Sequence, residues 1–164
     1  MFKEIARILI KNNLTIAVTE SCTGGLLSSM LTDVSGSSAY THLNFVTYSN
    51  EAKHKILGVK NETLNLYGAV SEECSFEMAK GLHSITQADI CVSTTGIAGP
   101  TGGAENKPVG LMYATIYTTN YYKTFKFNLP PQTPRIQMKQ AFVQSIAEKL
   151  YDFLIEYEKH KNNL

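Results

Sequence analysis

At 164 residues and 43% hydrophobic content, the chain is long enough to bury one full core, and a single domain over residues 1–164 is expected. Its formal net charge of +1, from 15 basic and 14 acidic side chains spread along the sequence, leaves no electrostatic footprint for duplex nucleic acid. Three cysteines, Cys22, Cys74 and Cys91, without CxxC spacing argue against a disulfide framework or a zinc site and fit a reducing cytoplasm.

The N-terminal stretch MFKEIARILIKNN carries charges inside its apolar pattern, so it has neither a signal-peptide core nor the length of a membrane span. Phe2, Ile5, Ala6, Leu9 and Ile10 recur at helical spacing until Asn12-Asn13 break the pattern, and a β-branched strand follows at 15 to 19. A second helix opens at Gly24-Gly25 and ends near Asp33. The segment NFVTYS, 44 to 49, reads as a strand, and NEAKHKILG as a short helix capped by Asn50. NETLNLYG is a short helix stopped by Gly68, and a longer helix runs from Ser71, its N-cap, to about Gln87. Ile90 to Thr94 is a short buried strand that enters TGIAGPTGGAENKP, a loop with four glycines and two prolines. Val109–Thr119 and Tyr121–Leu129 form a hairpin around Asn120, and a long helix from Pro134 to about Tyr157 closes the pattern. Helices alternating with strands, then a hairpin, predict an α/β fold with helices on both faces of a mixed sheet. Ligands in such folds gather beyond the carboxyl ends of strands, where Ser21 and the glycine-rich loop both fall.

Ser21, at a strand-to-helix turn, lies beside the free amides of a helix start, which suit an oxyanion or a phosphate; the same spacing is met by Ser21 or Thr23 acting only as a helix cap. A serine nucleophile needs a base. The four histidines, His42, His54, His83 and His160, sit in no recognisable triad context, whereas a lysine of lowered pKa can serve. Lys53, in the first turn after Tyr48, is such a lysine or else an ordinary solvated one. The loop TGIAGPTGG has the backbone freedom and the amides of a phosphate or carbonyl cradle without the order of a Walker A loop; a surface connection accounts for it equally well. Lys107 and Arg135 are placed to neutralise a phosphate there. Cys22 is read as a small buried hydrophobe rather than a nucleophile, and Cys74 and Cys91 as core.

Taken in order, TESCTGG, DVSGSSAY, FVTYSNEAKHKILGV, YGAVSEE with the later MAKG, and TTGIAGPTGG with KPVG resemble the motif set of the CinA C-terminal domain family, over roughly residues 5 to 155. That family includes the stand-alone bacterial nicotinamide-nucleotide amidases. The resemblance implies a three-layer α/β/α sandwich with a mixed sheet. It also implies an enzyme that converts nicotinamide mononucleotide to nicotinic acid mononucleotide and ammonia in pyridine-nucleotide salvage, by a Ser-Tyr-Lys group without metal or cofactor. The matching residues are Ser21, Tyr48 and Lys53, with Lys53, helped by Tyr48, as the base for Ser21. Thr23, Gly24 and Gly25, or Thr95 and Gly96 opposite, are the expected oxyanion donors; Gly99 and Gly102 belong to the loop expected to wrap the ligand, and Arg135 is the expected phosphate partner. The sequence departs from the family at Asn44, where a glycine is usual before FVTY; Asn tolerates a left-handed turn better than most residues.

Two other functions compete: a non-catalytic module binding a phosphorylated metabolite, and a partner protein in competence. Retention of all three of Ser21, Tyr48 and Lys53 favours the enzyme over the module, and near-neutral charge argues against direct DNA binding. The hairpin aromatics Tyr113, Tyr117, Tyr121, Tyr122, Phe125 and Phe127 exceed what one face of a small sheet must bury, so a homodimer surface is expected, with an internal core as the alternative.

Overall fold

Sequence periodicity becomes structure first at the amino end, where Ile5, Ala6, Ile8 and Leu9 form the buried stripe of helix α1 (Phe2–Asn12). Asn13 ends it in a left-handed conformation, φ 53°, as the Asn12-Asn13 break predicts. The computed structural model describes residues 1–162, and its remaining elements are β1 (Ile16–Glu20), α2 (Leu26–Thr32), β2 (Phe45–Val46), α3 (Asn50–Leu57), α4 (Asn61–Tyr67), α5 (Glu72–Thr86), β3 (Ile90–Gly96), β4 (Leu111–Tyr117), β5 (Tyr122–Asn128) and α6 (Arg135–Asn162). The sheet order is β2-β1-β3-β4-β5, with β1 parallel to β2 and to β3, and with β4 antiparallel to β3 and β5. This is the expected mixed α/β sheet, and its three parallel strands deliver their carboxyl ends to one edge.

Alternation along the strands sorts the core into two layers. Ile16, Val18, Ile90, Val92, Met112, Ala114 and Ile116 pack beneath α1, α2 and α6, where Met138, Phe142, Ile146 and Leu150 are buried. Ala17 and Cys91 face the other way, under Cys74, Met78 and Leu82 of α5 and Leu57 of α3. The hairpin divides between these layers: Phe125 and Phe127 pack on the α6 side, Tyr117 on the α5 side, while Tyr121 and Tyr122 stay exposed. Much of the aromatic excess is therefore internal core.

Three boundaries differ from the sequence reading. The α3 cap is Ser49, whose Oγ accepts the Ala52 amide at 3.0 Å; Asn50 is the first helical residue. The segment 44 to 49 contributes only two strand residues. Asn44 keeps an ordinary φ, and its side-chain Oδ1 accepts the Val18 amide of β1 at 2.9 Å, so a side chain occupies a rung of the ladder that main chain was expected to fill. The closing helix runs on to Asn162 and includes His160.

The α3–α5 contact depends on Gly81, because a Cβ there would lie 1.8 Å from the Leu57 carbonyl oxygen. Gly81→Ala is expected to force the two helices apart and to cost about 1–3 kcal/mol, as overpacking usually does. The check is urea unfolding, with a lower midpoint at an unchanged slope.

Candidate active site

At the carboxyl edge of the parallel strands a cavity of about 260 Å³ is lined by Ser21, Cys22, Tyr48, Asn50, Lys53, Ala69, Val70, Thr101, Arg135 and the segment from Thr95 to Gly99 with Gly102. Larger clefts elsewhere do not touch these residues.

Ser21 follows the last residue of β1 and is held from behind: its amide donates to the Thr94 carbonyl at 3.1 Å and to Thr94 Oγ1 at 3.2 Å. Its hydroxyl does not cap α2. That helix starts four residues beyond the cap reading, with Gly25, φ 100°, at its N-cap position. Only a residue without a Cβ penalty adopts such a φ readily, so the glycine pair delays the helix and leaves Ser21 on a turn of its own.

Lys53 is 1% exposed, and its Nζ lies 3.0 Å from Ser21 Oγ, 3.0 Å from the Thr47 carbonyl and 3.0 Å from the Tyr48 carbonyl. The curtailed β2 makes this possible. The Thr47 amide still bonds the Glu20 carbonyl at 2.9 Å, after which the chain leaves the ladder and turns its two carbonyls toward the lysine. Among the described residues no carboxylate lies within 4 Å of Lys53. Burial without a counter-ion disfavours the charged form and lowers the Lys53 pKa. Nζ donates to both carbonyls and to Ser21 Oγ, whose hydroxyl faces the Tyr48 carbonyl at 3.4 Å, and loss of a proton from the amine leaves a lone pair beside the serine.

Tyr48 enters through its backbone rather than its phenol. The ring is 58% exposed, and its hydroxyl accepts from Arg135 Nη2 at 3.0 Å. Arg135 Nη1 also donates to the Gly99 carbonyl at 2.7 Å, so the guanidinium joins the glycine-rich loop to the rim of the cavity. Lys107 lies apart from this rim, bonded to the Tyr67 carbonyl.

The expected oxyanion residues separate into two groups. Thr95 and Gly96 line the cavity, as do Gly99 and Gly102. Thr23, Gly24 and Gly25 do not: Thr23 is fully buried with Oγ1 bonded to Thr94 Oγ1 at 2.9 Å, and the Gly24 amide is taken by the Ser21 carbonyl at 3.0 Å. Among the described residues, the Cys22 amide donates to no main-chain carbonyl, and its contact is with its own thiol. Its thiol is pushed up to about 12 by burial, and burial likewise pushes Cys74 and Cys91 up to about 11, so all three stay protonated near neutral pH. Cys22 is the small buried hydrophobe that the sequence suggests and also reaches the cavity wall, whereas Asn50, expected as a helix cap, is a wall residue that the sequence reading does not identify. Among the described residues no group of three His, Cys, Asp or Glu side chains is placed to hold a metal ion, and no helix is long and apolar enough to cross a membrane.

Residues 1–154 match the CinA C-terminal domain. The CinA-like protein of Thermotoga neapolitana is 46% identical over 143 residues, which cover 87% of this chain and 35% of the relative. The CinA-like protein of Desulforapulum autotrophicum is 50% identical over 146 residues, 87% of this chain and 33% of the relative. The chain thus spans about a third of the length of these curated relatives. Among solved structures, a CinA superfamily protein from Klebsiella pneumoniae superposes with a TM-score of 0.90 at 30% identity, over 94% of this chain and 96% of the other. The competence/damage inducible protein from Agrobacterium tumefaciens does so with a TM-score of 0.84 at 37% identity, over 94% of each chain. With that match running from the first residue to the last quarter of α6, the chain belongs to the CinA C-terminal domain family.

Proposed function

We propose that the chain is an amidohydrolase that converts nicotinamide mononucleotide to nicotinic acid mononucleotide and ammonia, with Ser21 as nucleophile and Lys53 as its base. The observation that carries the reading is the 3.0 Å approach of a buried lysine, free of any carboxylate, to the Ser21 hydroxyl. The choice of nucleotide rests on the family resemblance. The chemistry rests on the residues.

Neutral Lys53 takes the Ser21 proton as Oγ attacks the carboxamide carbon, and the protonated amine then gives that proton to the departing nitrogen, which leaves as ammonia. Water attacks the resulting ester, Lys53 accepts one of its protons and passes it to Ser21 Oγ as the carboxylic acid product leaves, and the acid ionises by giving its remaining proton to solvent. The Cys22 amide follows the nucleophile directly and is the donor best suited to the tetrahedral oxyanion, a position that supplies this contact in other serine hydrolases. Arg135 supplies the cation for the substrate phosphate, and binding there exchanges its Gly99 and Tyr48 contacts for charge-assisted ones.

The first test is ammonia release from nicotinamide mononucleotide by purified protein. Ser21→Ala is expected to reduce turnover to background, and Lys53→Met to reduce it at least ~10²-fold, the lower range for loss of a general base. Absence of turnover by folded wild type overturns the amidase reading.

Tyr48→Phe keeps the carbonyl that holds Lys53 and removes only the phenol contact with Arg135. It is therefore expected to lower kcat less than about tenfold, whereas Arg135→Ala raises KM by about tenfold or more, the loss of one hydrogen bond to a charged group. Steady-state kinetics on the two variants separates these effects.

Because burial lowers the Lys53 pKa in the folded state, the unfolded chain binds the extra proton between the folded value and that of a free lysine, ~10.4. Stability from this group is therefore present above the free-lysine value and lost as pH falls through the folded one. The stability of wild type relative to Lys53→Met is expected to rise with pH across that window in urea titrations, and kcat/KM to rise over its lower part. A pH-independent difference would mean an ordinary, charged Lys53.

A further inference from the structure

We infer that Glu20 is a positioning residue for Ser21, an inference that rests on the serine chemistry proposed above. Glu20 is the last residue of β1, lies immediately before Ser21 and is fully buried, yet among the described residues no cation lies within 4 Å of its carboxylate. Its side chain reaches over the turn instead. One oxygen accepts the Leu27 amide at 2.7 Å; the other accepts the Ser28 amide at 2.9 Å and the Ser28 hydroxyl at 2.8 Å. These amides belong to the first turn of α2, which has no side-chain cap at its own N-cap position, Gly25.

The usual serine or aspartate cap is barred from that position by the φ of 100° that Gly25 adopts. A carboxylate drawn from the strand end does something a local cap does not: it ties the two ends of the Ser21–Gly25 turn together, so the nucleophile sits inside a closed ring of contacts. The same residue governs the base from its main chain. The Glu20 carbonyl accepts the Thr47 amide at 2.9 Å, and the Thr47 carbonyl is one of the two that hold Lys53. The carboxylate therefore fixes the turn that carries Ser21, and the main chain of the same residue, through Thr47, joins that turn to the segment that holds Lys53. Displacing a reacting group by as little as 1 Å costs on the order of 10²-fold in rate.

Glu20→Gln tests this in the full chain, because the amide retains one acceptor oxygen and turns an NH2 group toward donors it cannot bond. Ser21 reactivity is read with a fluorophosphonate probe, which needs no nucleotide, with Ser21→Ala as the blank and thermal melting as the folding control. The labelling rate and kcat are both expected to fall at least tenfold per folded molecule, while KM stays within about twofold and the pH midpoint of kcat within about 0.3 unit. A purely structural role lowers the melting temperature and leaves the rate per folded molecule unchanged, and that result overturns the inference. Where Glu20→Gln does not fold, Ser28→Ala decides: it removes one of the three contacts, and labelling is expected to slow about two- to threefold, with no slowing as the overturning result. Wild type that labels at Ser21 yet releases no ammonia would end the amidase reading and leave the Glu20 question answerable by the probe.

Discussion

The buried Lys53 amine, facing three oxygens and, among the described residues, no carboxylate, is the constraint around which this edge of the molecule is arranged. A carboxylate partner would hold the lysine charged and leave it no lone pair. Two carbonyls satisfy its N–H groups without that consequence, but carbonyls already paired in a sheet are not aimed at a side chain. Strand β2 therefore has to stop after two residues, and Asn44 stands in for the missing rung on β1. Asn44 is thus a structural partner for Val18, set at the far end of a short strand whose other end holds the lysine.

Around this lysine the interior is more polar than a sheet core usually is, and the polar groups are paired hydroxyl to hydroxyl. Thr19 meets Thr47 at 2.9 Å, and Thr23 meets Thr94 at 2.9 Å. Farther along the same sheet, Ser75 of α5 bonds Ser93 and Thr115, and Thr115 bonds Thr124. Each pair avoids the cost of an unsatisfied buried hydroxyl. Small hydroxylated side chains also keep α5 close to the sheet, which in turn presses α3 and its lysine against the strand ends, with Gly81 admitting the Leu57 backbone.

The fold was legible because its elements announce themselves by period and by punctuation: the α1 stripe ending at Asn13, the Ser71 cap, the Gly68 stop, the hairpin about Asn120. Ser21, Tyr48, Lys53, Arg135 and the 95–102 loop were legible as one site only through the ordered motifs, since nothing in spacing alone separates Lys53 from a solvated helix lysine. The lost details are those set by three-dimensional direction. Tyr48 was read as a phenol because side chains carry motif chemistry, yet its carbonyl faces the lysine. Thr23 to Gly25 are expected as donors because they adjoin Ser21, but two successive positive φ values turn that segment away from the cavity. Glu20 resembled any strand-end acid, because a cap acting from five residues upstream has no spacing signature.

The pieces of the cavity lie far apart along the chain: Ser21 and Lys53 are 32 residues apart, and Tyr48 and Arg135 are 87 apart. Each contact closes a long loop, whose entropy must be spent before the contact returns anything, and topologies dominated by such closures fold slowly. The strands that carry Ser21 and the 95–102 loop meet only when β1 has paired with β3, while Arg135 arrives with the last helix, after the hairpin is in place. The guanidinium thus reaches the rim only together with Met138, Phe142, Ile146 and Leu150, which complete the core beneath the same sheet. Because α6 follows the hairpin in the sequence, synthesis delivers Ser21 and Lys53 well before Arg135, and the rim closes only after residue 135 has been made.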